Sequence, residues 1–519
     1  MEARAIRVEK PFAAAEEKFV ELVARLSSEE SVGMRHGDLE TLITAEGREI
    51  QRRLLQGHLD LRGSGEKMLA VVAGKDGVER THHRQSARGL LTVFGLVTVL
   101  RMSYGRRGQS SLSPLDASLN LPEERYSHGL RRLAAVEAAR GSFDATVDAI
   151  ERGTGNQVGK RQVEELVERA AQDFETFYAR PESADAATSA KDLLVLSLDA
   201  KGIVMRKKDL LDATRKAAES EQHKLNGRLS KGEKKNRKRM ATVAAVYDLA
   251  PQARTPEDII ADLRPVRDVS KPCPRAKNKR VWARIEKSAE EVTREVFEEA
   301  QHRDPERKRQ WIVLVDGDRH QIERVRREAK RHGVEVTLVV DFIHVLEYLW
   351  KAAWCFFDEG DKEAERWVTD RAFAVLQGQS SEVGAGIRRS ATLRDLPAKG
   401  RKGVDECCDY LIAKRTMLRY DRYLASGLPI ATGVIEGACR HLLCDRMDIT
   451  GARWGLRGAE SVLRLRSLRS SGDFDDYWRF HLEAEHQRSH ESRYAPPSQP
   501  VRPCRKAALR VIEGGKPSS

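Results

Sequence analysis

The stretch that most constrains this chain is Trp311 to Asp318, WIVLVDGD, an apolar run rich in Val that stops abruptly on acidic residues. Apolar positions without alternation read as a strand buried on both faces, as in a sheet covered by helices. Asp316 therefore falls at the carboxyl end of that strand, where open α/β sheets place their chemistry. A second run of the same make, LLVLSLD from Leu193 to Asp199, also ends on an aspartate. If the two strands lie side by side and parallel, Asp199 and Asp316 meet at one edge of the sheet, and two carboxylates on a rigid floor suit a divalent cation. A lone aspartate at a strand end is usually a turn residue. Two of them, ending two like strands, read as a site.

The rest of a sheet is legible around these two runs. Lys201 to Lys207 (KGIVMRK) reads as a second strand turning back from the first, and Met240 to Leu249 as a third. Trp311 to Asp316 is then the fourth and Val334 to Asp341 the fifth, with helices expected at Val281 to Gln301 and Arg319 to Arg331. The order β, β, β, α, β, α, β, with aspartates ending strands one and four, is the plan of a ribonuclease-H-like sheet, in which those two strands are neighbours. After Asp341 the chain reads as helical from Phe342 to Phe357 and on through charged sequence to Leu424. Gly427 to Ile435 makes an irregular approach to a helix carrying Glu436 and Arg440, and a basic segment runs from Arg446 to Arg469.

Upstream, residues 11 to 60 read as helices, with Phe19, Leu22, Val23 and Leu26 on one face. A Gly-rich break at Arg62 to Glu66 follows. Leu90 to Tyr104 is β-rich and bent at Gly95, which suits a strand pair or one long bulged strand. Ser142 to Leu166 has the shape of a helix-turn-helix, the start of its second helix carrying Asn156, Gln157, Lys160, Arg161 and Gln162, residue types that read base edges and phosphates. A plain helical hairpin has the same pattern. Pro181 to Ala190 reads as a linker, and the Pro and Ser content beyond Tyr494 suggests a disordered tail.

The resulting division is 1–60 helical, 61–126 β-containing, 127–180 helix-turn-helix-like, 191–345 α/β core with the first two acids, 346–426 helical insertion, 427–485 C-terminal helical part with a third acid, and 486–519 disordered tail. Across the 519 residues Lys and Arg (92) outnumber Asp and Glu (79), a net +13 that favours a polyanionic partner, although many basic enzymes bind no nucleic acid. The run Lys231 to Arg239, with Lys235, Arg237 and Lys238, reads first as a solvated loop; beside a metal-binding edge it could also grip a phosphate backbone. Seven cysteines, none in a CxxC pair, indicate neither a zinc ribbon nor a disulfide framework and suit a reducing compartment. The opening MEARAIRVEKPF lacks the apolar core of a signal peptide, and the longest apolar run, Gly89 to Leu100, is far too short to span a bilayer. A soluble, cytoplasmic and nucleoid-associated protein is expected, with no membrane partner.

Taken together, VLSLDAKGI, VLVDGDRHQI, VVDFIHVLEYLW and GVIEGACRHLLCDRMDITGARWGLRGAESVLRLRSL resemble the transposases of bacterial insertion sequences, most closely the ISKra4 family of DDE enzymes, over residues 85 to 485. The resemblance implies an α/β ribonuclease-H-like catalytic domain with a large helical insertion, preceded by a mainly helical N-terminal DNA-binding region with a short β element. It also implies DNA strand cleavage and transfer requiring Mg²⁺, with Mn²⁺ as a substitute, on double-stranded DNA (element ends and target), by a homodimer or higher oligomer. The first acid falls on Asp199, the second on Asp316 and the third on Glu436, all three as metal ligands. Asp341 and His344 match a D-x-x-H element as accessory groups.

Without the resemblance, Glu436 reads as an acid placed for its helix dipole, and Glu347, Asp358 and Glu359 compete for its role. Asp318 reads as a turn residue rather than a further ligand. Arg440, Arg446, Arg453 and Arg457 suit a bent or unpaired DNA end, whereas Trp454 among them reads as core. One departure stands: no amino-terminal metal ribbon is present, so recognition of ends would rest on the helical region. Two alternatives remain, a catalytically inactive transposase-derived DNA-binding protein and an aspartate-dependent phosphohydrolase. VLVDGD suits the latter, but it leaves the second acidic strand and the Arg-rich C-terminal third unexplained.

Overall fold

The computed structural model describes residues 10–64, 68–180, 191–220, 236–263, 274–431, 433–449 and 451–496. The chain forms two compact units, one made of Met1–Ala179 with Asp475–Ser519 and the other of Arg180–Phe474. The expected linker, 181–190, lies outside the described residues.

The first unit opens with helices Ala13–Leu26 and His36–Ser64, so the helix runs three residues into the expected Gly-rich break. The short strands β1 (Val72–Ala73) and β2 (Glu79–Arg80) pair with each other. β3 (His82–Thr92) and β4 (Gly95–Gly105) then form an antiparallel hairpin in continuous register from His82↔Gly105 to Thr92↔Gly95. Of the two expected forms, the strand pair is therefore the one observed, with the turn at Val93 and Phe94. Leu90, Val97 and Val99 of the hairpin pack with Leu59, Leu115 and Leu121.

Helices Phe143–Thr154 and Lys160–Ala170 sit at the expected helix-turn-helix positions, joined through Gly155 in the left-handed conformation. Val163, Leu166 and Val167 are buried as expected, but so is Asn156. Its amide donates to the Thr92 carbonyl at 2.8 Å, which fixes the turn and removes it from any outward-facing set.

The C-terminal end corrects two sequence expectations. Helix Phe474–Ser489 belongs, from Asp475 onward, to the first unit rather than to the α/β part. Residues 486 to 496 are not a tail: the helix runs to Ser489, a 3₁₀ turn covers Glu491–Arg493, and Tyr494 bridges to Gly74. This helix is held by charge as much as by packing. Arg131, fully buried, pairs with Glu124 and Glu485 and lies 3.0 Å from His481, which in turn meets Asp173 at 2.7 Å.

The second unit is built on a five-stranded sheet in the order β7-β6-β5-β8-β9. Its strands are β5 (Leu193–Val204), β6 (Lys238–Leu249), β7 (Lys277–Arg284), β8 (Trp311–Val315) and β9 (Val336–Val340). β5 pairs antiparallel with β6 and parallel with β8; β6–β7 is antiparallel and β8–β9 parallel. The neighbouring of the first and fourth strands is therefore as expected. Two strand assignments are not. Lys201–Lys207 does not turn back: β5 continues to Val204, and the return strand is β6, residues 238 to 249. The third strand is β7, in sequence taken for the start of a helix, which begins only at Ala289 behind a Ser288–Glu291 capping box.

Helix Leu456–Ser471 covers the β7 edge. Ser471 and Ser467 hydroxyls accept from the Val281 and Ala283 amides at 3.0 and 3.3 Å, and Glu460 accepts from Ile285 at 2.9 Å. An edge that would otherwise present unpaired donors is thereby closed. Helices fill 342 to 425 as expected, namely Phe342–Ala353, Lys362–Leu376, Ser380–Leu393, Lys402–Ala413 and Tyr420–Ala425. No helix among the described residues is long and apolar enough to cross a membrane.

Candidate carboxylate site at the ends of β5 and β8

β5 is buried from Leu193 to Leu198 and half-buried or exposed at the next four positions. Its parallel pairing with β8 runs from Leu194↔Trp311 to Ser197↔Leu314. Continuing that register places Asp199 opposite Asp316, where β8 stops and β5 goes on alone beside β6. The all-apolar WIVLV of β8 is buried at every position, so the first polar side chain after it is set at the boundary of the core.

The two strand ends are tied by a residue that the sequence did not single out. Gln321, in the first turn of helix Arg319–His332, donates its amide N–H to the Leu198 carbonyl at 2.9 Å and accepts at its amide oxygen from the Asp316 N–H at 3.2 Å. The backbone on which each aspartate rides is thus held by opposite ends of one buried amide. Asp318 caps that helix, accepting from the Gln321 N–H at 2.8 Å, which agrees with its reading as a turn residue. Tyr410 donates its hydroxyl to the Asp316 carbonyl oxygen at 2.7 Å, and burial pushes its pKa far up, so it remains a donor. Its ring packs directly over Gly317, whose φ of 91° and lack of a Cβ permit that contact.

Asp316 Oδ1 accepts from the Asp318 N–H at 2.7 Å. Its carboxyl pKa is raised, chiefly by burial and further by the charges of Asp318 and Asp199, while His344 acts in the opposite sense. Asp199 accepts at Oδ1 from the Ala200 N–H at 2.7 Å and at Oδ2 from the Cys439 thiol at 2.9 Å. Burial, with the nearby Asp199 charge, raises the Cys439 pKa and keeps that thiol protonated. Its neighbour Cys444 lies 2.7 Å from Lys201 Nζ.

Cys439 belongs to a helical segment that starts at Gly433 and runs through Met447, with one π turn at Cys439–Cys444. An inserted π turn widens the spacing by a residue and recurs at functional positions. Glu436 lies three residues before Cys439 on a helix that packs against β5 and β6. Its own side chain is exposed and makes no hydrogen bond or ion pair among the described residues. Among these residues no three His, Cys, Asp or Glu side chains are gathered as a metal-ligand group. The structure therefore brings Asp199 and Asp316 together, sets the Glu436 helix against the same strands, and leaves Glu436 outside the pair. Asp341 continues the β9 end, donating its N–H to the Val315 carbonyl at 2.8 Å and capping helix Phe342–Ala353 through Ile343. His344 meets Glu347 at 3.3 Å. Two half-buried carboxylates at the ends of adjacent parallel strands are a donor set of hard oxygens, and such a set fits Mg²⁺.

The basic residues divide into three groups. In the first unit Lys160 pairs with Asp144 and Arg161 with Glu165, both on the surface. In the second unit Arg237 and Lys238 are exposed where β6 begins, across from the overrunning end of β5, while Lys235 lies outside the described residues. Trp454 docks beside that same end: its N–H donates to the Val204 carbonyl at 3.0 Å, and its own carbonyl accepts from the Arg206 N–H at 2.8 Å. Arg206, Lys207, Lys208, Arg453 and Arg457 are exposed around this junction, and Arg440 is exposed on the Cys439 turn. Arg446 departs from this set. It is 3% exposed, its guanidinium 4.6 Å from the Trp454 ring, and burial lowers its pKa to about 10. It packs on the tryptophan, which is core as read from the sequence.

No family model matches this chain, and no curated protein matches it either.

Proposed function

We propose that this chain is a DNA strand-cleaving and strand-joining enzyme of the insertion-sequence transposase kind, with a ribonuclease-H-like sheet as its catalytic domain. The observation that carries the reading is the Asp199–Asp316 pair on adjacent parallel strands, locked by Gln321. The resemblance of the surrounding motifs to ISKra4-family transposases supports it. Magnesium held there would supply Lewis-acid stabilisation of the attacking and leaving oxygens. Asp199 and Asp316 would hold it, and Glu436 would complete the set by turning toward β5 once DNA and cations arrive. The exposed cations at the far end of β5 follow the pair along the same strand and would suit a phosphate backbone entering there. Two element ends must be joined, which calls for a dimer or larger assembly on DNA, and the working place would be the nucleoid.

The decisive experiment is Asp316→Asn on a DNA carrying the cognate ends. Strand transfer is expected to disappear while binding of ends changes little. Retained cleavage would place the chemistry elsewhere. A second reading, a DNA-binding protein derived from a transposase without catalysis, is favoured by the exposed Glu436. Under it the wild-type chain binds ends but cleaves nothing with Mg²⁺ or Mn²⁺, and Glu436→Gln changes no property. A phosphohydrolase would instead hydrolyse a small phosphomonoester and lose that activity with the same Asp316→Asn change.

A further inference from the structure

We propose that the first unit contains a binding pocket for a phosphate-bearing ligand of nucleotide size, separate from the carboxylate pair and independent of the reading given to it. The pocket has a volume of about 530 Å³ and opens on the polar half of the β3–β4 hairpin. Near its turn, one face of that hairpin is apolar and buried, through Leu90, Val97 and Val99. Toward the open end the pocket side changes character: Arg84, Ser86 and Arg88 alternate along β3, with Ser103 opposite Arg84 and Arg101 opposite Ser86. A half-covered hairpin ordinarily continues its apolar face. Here guanidinium and hydroxyl groups replace it and surround a hollow.

The charges in the hollow are not balanced. Arg88 and Arg101 face Asp116, at 3.4 and 3.0 Å, and neutralise it. Arg84 makes no ion pair among the described residues, and the Arg493 guanidinium donates to the Ser111 carbonyl at 3.2 Å, its charge acting on Asp116 behind those of Arg101 and Arg88. Glu123, exposed at the rim, is the one further acid, so positive charge is left over inside. The hydroxyls form a chain, Ser86 Oγ to Ser103 Oγ at 2.7 Å and Ser103 Oγ to Ser113 Oγ at 2.9 Å. Ser86 Oγ also lies 3.5 Å from the Arg101 carbonyl, and each hydroxyl of the chain can donate or accept, so the chain can adjust to what occupies the pocket. Forked guanidinium groups with hydroxyl donors are the complement of a phosphate. The volume exceeds the needs of bare phosphate and falls within the about 300–1,000 Å³ of small-molecule sites. Leu121 and the buried Tyr494 give the remaining wall an apolar surface for a base.

A nucleoside phosphate reaches such a pocket either as a free nucleotide or as the phosphorylated end of a DNA strand. Calorimetric titration of the full chain with deoxyadenosine 5′-monophosphate, and with deoxyadenosine as control, tests the proposal. Saturable one-to-one binding of the monophosphate is expected, at least tenfold tighter than the nucleoside. Arg84→Ala and Arg493→Ala should each weaken it at least fivefold without lowering the melting temperature, and Asp316→Asn should leave it unchanged. Competition by a 5′-phosphorylated single strand, but not by its 5′-hydroxyl counterpart, would assign the strand end as the ligand; absence of competition would assign the free nucleotide. Equal affinity for nucleoside and monophosphate, or unaltered binding in both arginine variants, would overturn the proposal and leave a solvent-filled ion-pair cluster.

Discussion

Gln321 reaches from one buried amide to the backbone of two strand ends, five and 123 residues away, and the bridge is not visible in the sequence because Leu198 is distant along the chain. The aspartates themselves are legible: each ends a run of apolar residues, and the buried strand defines its own boundary. Cys439, 240 residues from Asp199, is not legible, since nothing in ACRHLLC marks which side chain meets a distant carboxylate. Glu436 could be named only through the motif around it, and the structure leaves it exposed. If Gln321 sets the spacing of the pair, Gln321→Leu should fill the same volume while losing both hydrogen bonds. An unfolding free energy lower by about 1–3 kcal/mol is expected in urea titrations. Strand cleavage should fall far more than that loss of stability explains, because the carboxylates are no longer held in register. An unchanged cleavage rate would remove Gln321 from the positioning role.

At the scale of elements, the errors of sequence reading share one cause. KGIVMRK reads as a second strand turning back because Lys201 and Gly202 interrupt the apolar pattern, yet they occur where β5 leaves the cover of β8 and keeps only β6 as neighbour. The strand loses burial before it loses pairing, and periodicity reports only burial. β7 is missed for a related reason: Lys277 to Arg280 are polar edge positions, and the buried part is only VWAR. Its outer donors are met by Ser467 and Ser471. Replacing both serines with alanine should cost about 1 kcal/mol per lost bond, read as a lower urea midpoint. The π turn offers a sharper test. Deleting the exposed His441 would return Cys439–Cys444 to α-helical spacing and swing Glu436 and Cys439 by about 100° relative to Arg446. Loss of cleavage in a chain that still folds is expected; full activity would show that the extra residue serves packing alone.

For the whole molecule, the sequence divisions follow local composition, whereas the units are defined by which segments share a core. Helix Phe474–Ser489 reads as an extension of the segment before it, because its role depends on Arg131, His481 and Asp173 meeting across more than 300 residues of chain. That junction also sets how the first unit responds to acid. Burial and the Arg131 charge depress the His128 pKa to about 4, with Glu485 opposing and the His481 ring adding to the effect; burial likewise holds His490 at about 4, beside His486, Arg493 and Glu485. Both rings are neutral in the folded unit and take up protons on unfolding once the pH drops below about 6.5. The unfolded state then binds more protons, so stability is lost as pH falls from about 6.5 toward 4. Glu485, held near 2 although burial opposes it, by Arg131 and Arg488, adds a loss of the same sign below its ordinary value of 4.5. Asp116, raised by burial, works the other way and softens the acid limb. The melting temperature of the first unit is therefore expected to drop by several degrees between pH 7 and 5. In His128→Gln with His490→Gln most of that pH dependence should vanish, whatever the cost at neutral pH. A double variant that melts with the wild-type pH slope would show that these two rings do not carry the acid response.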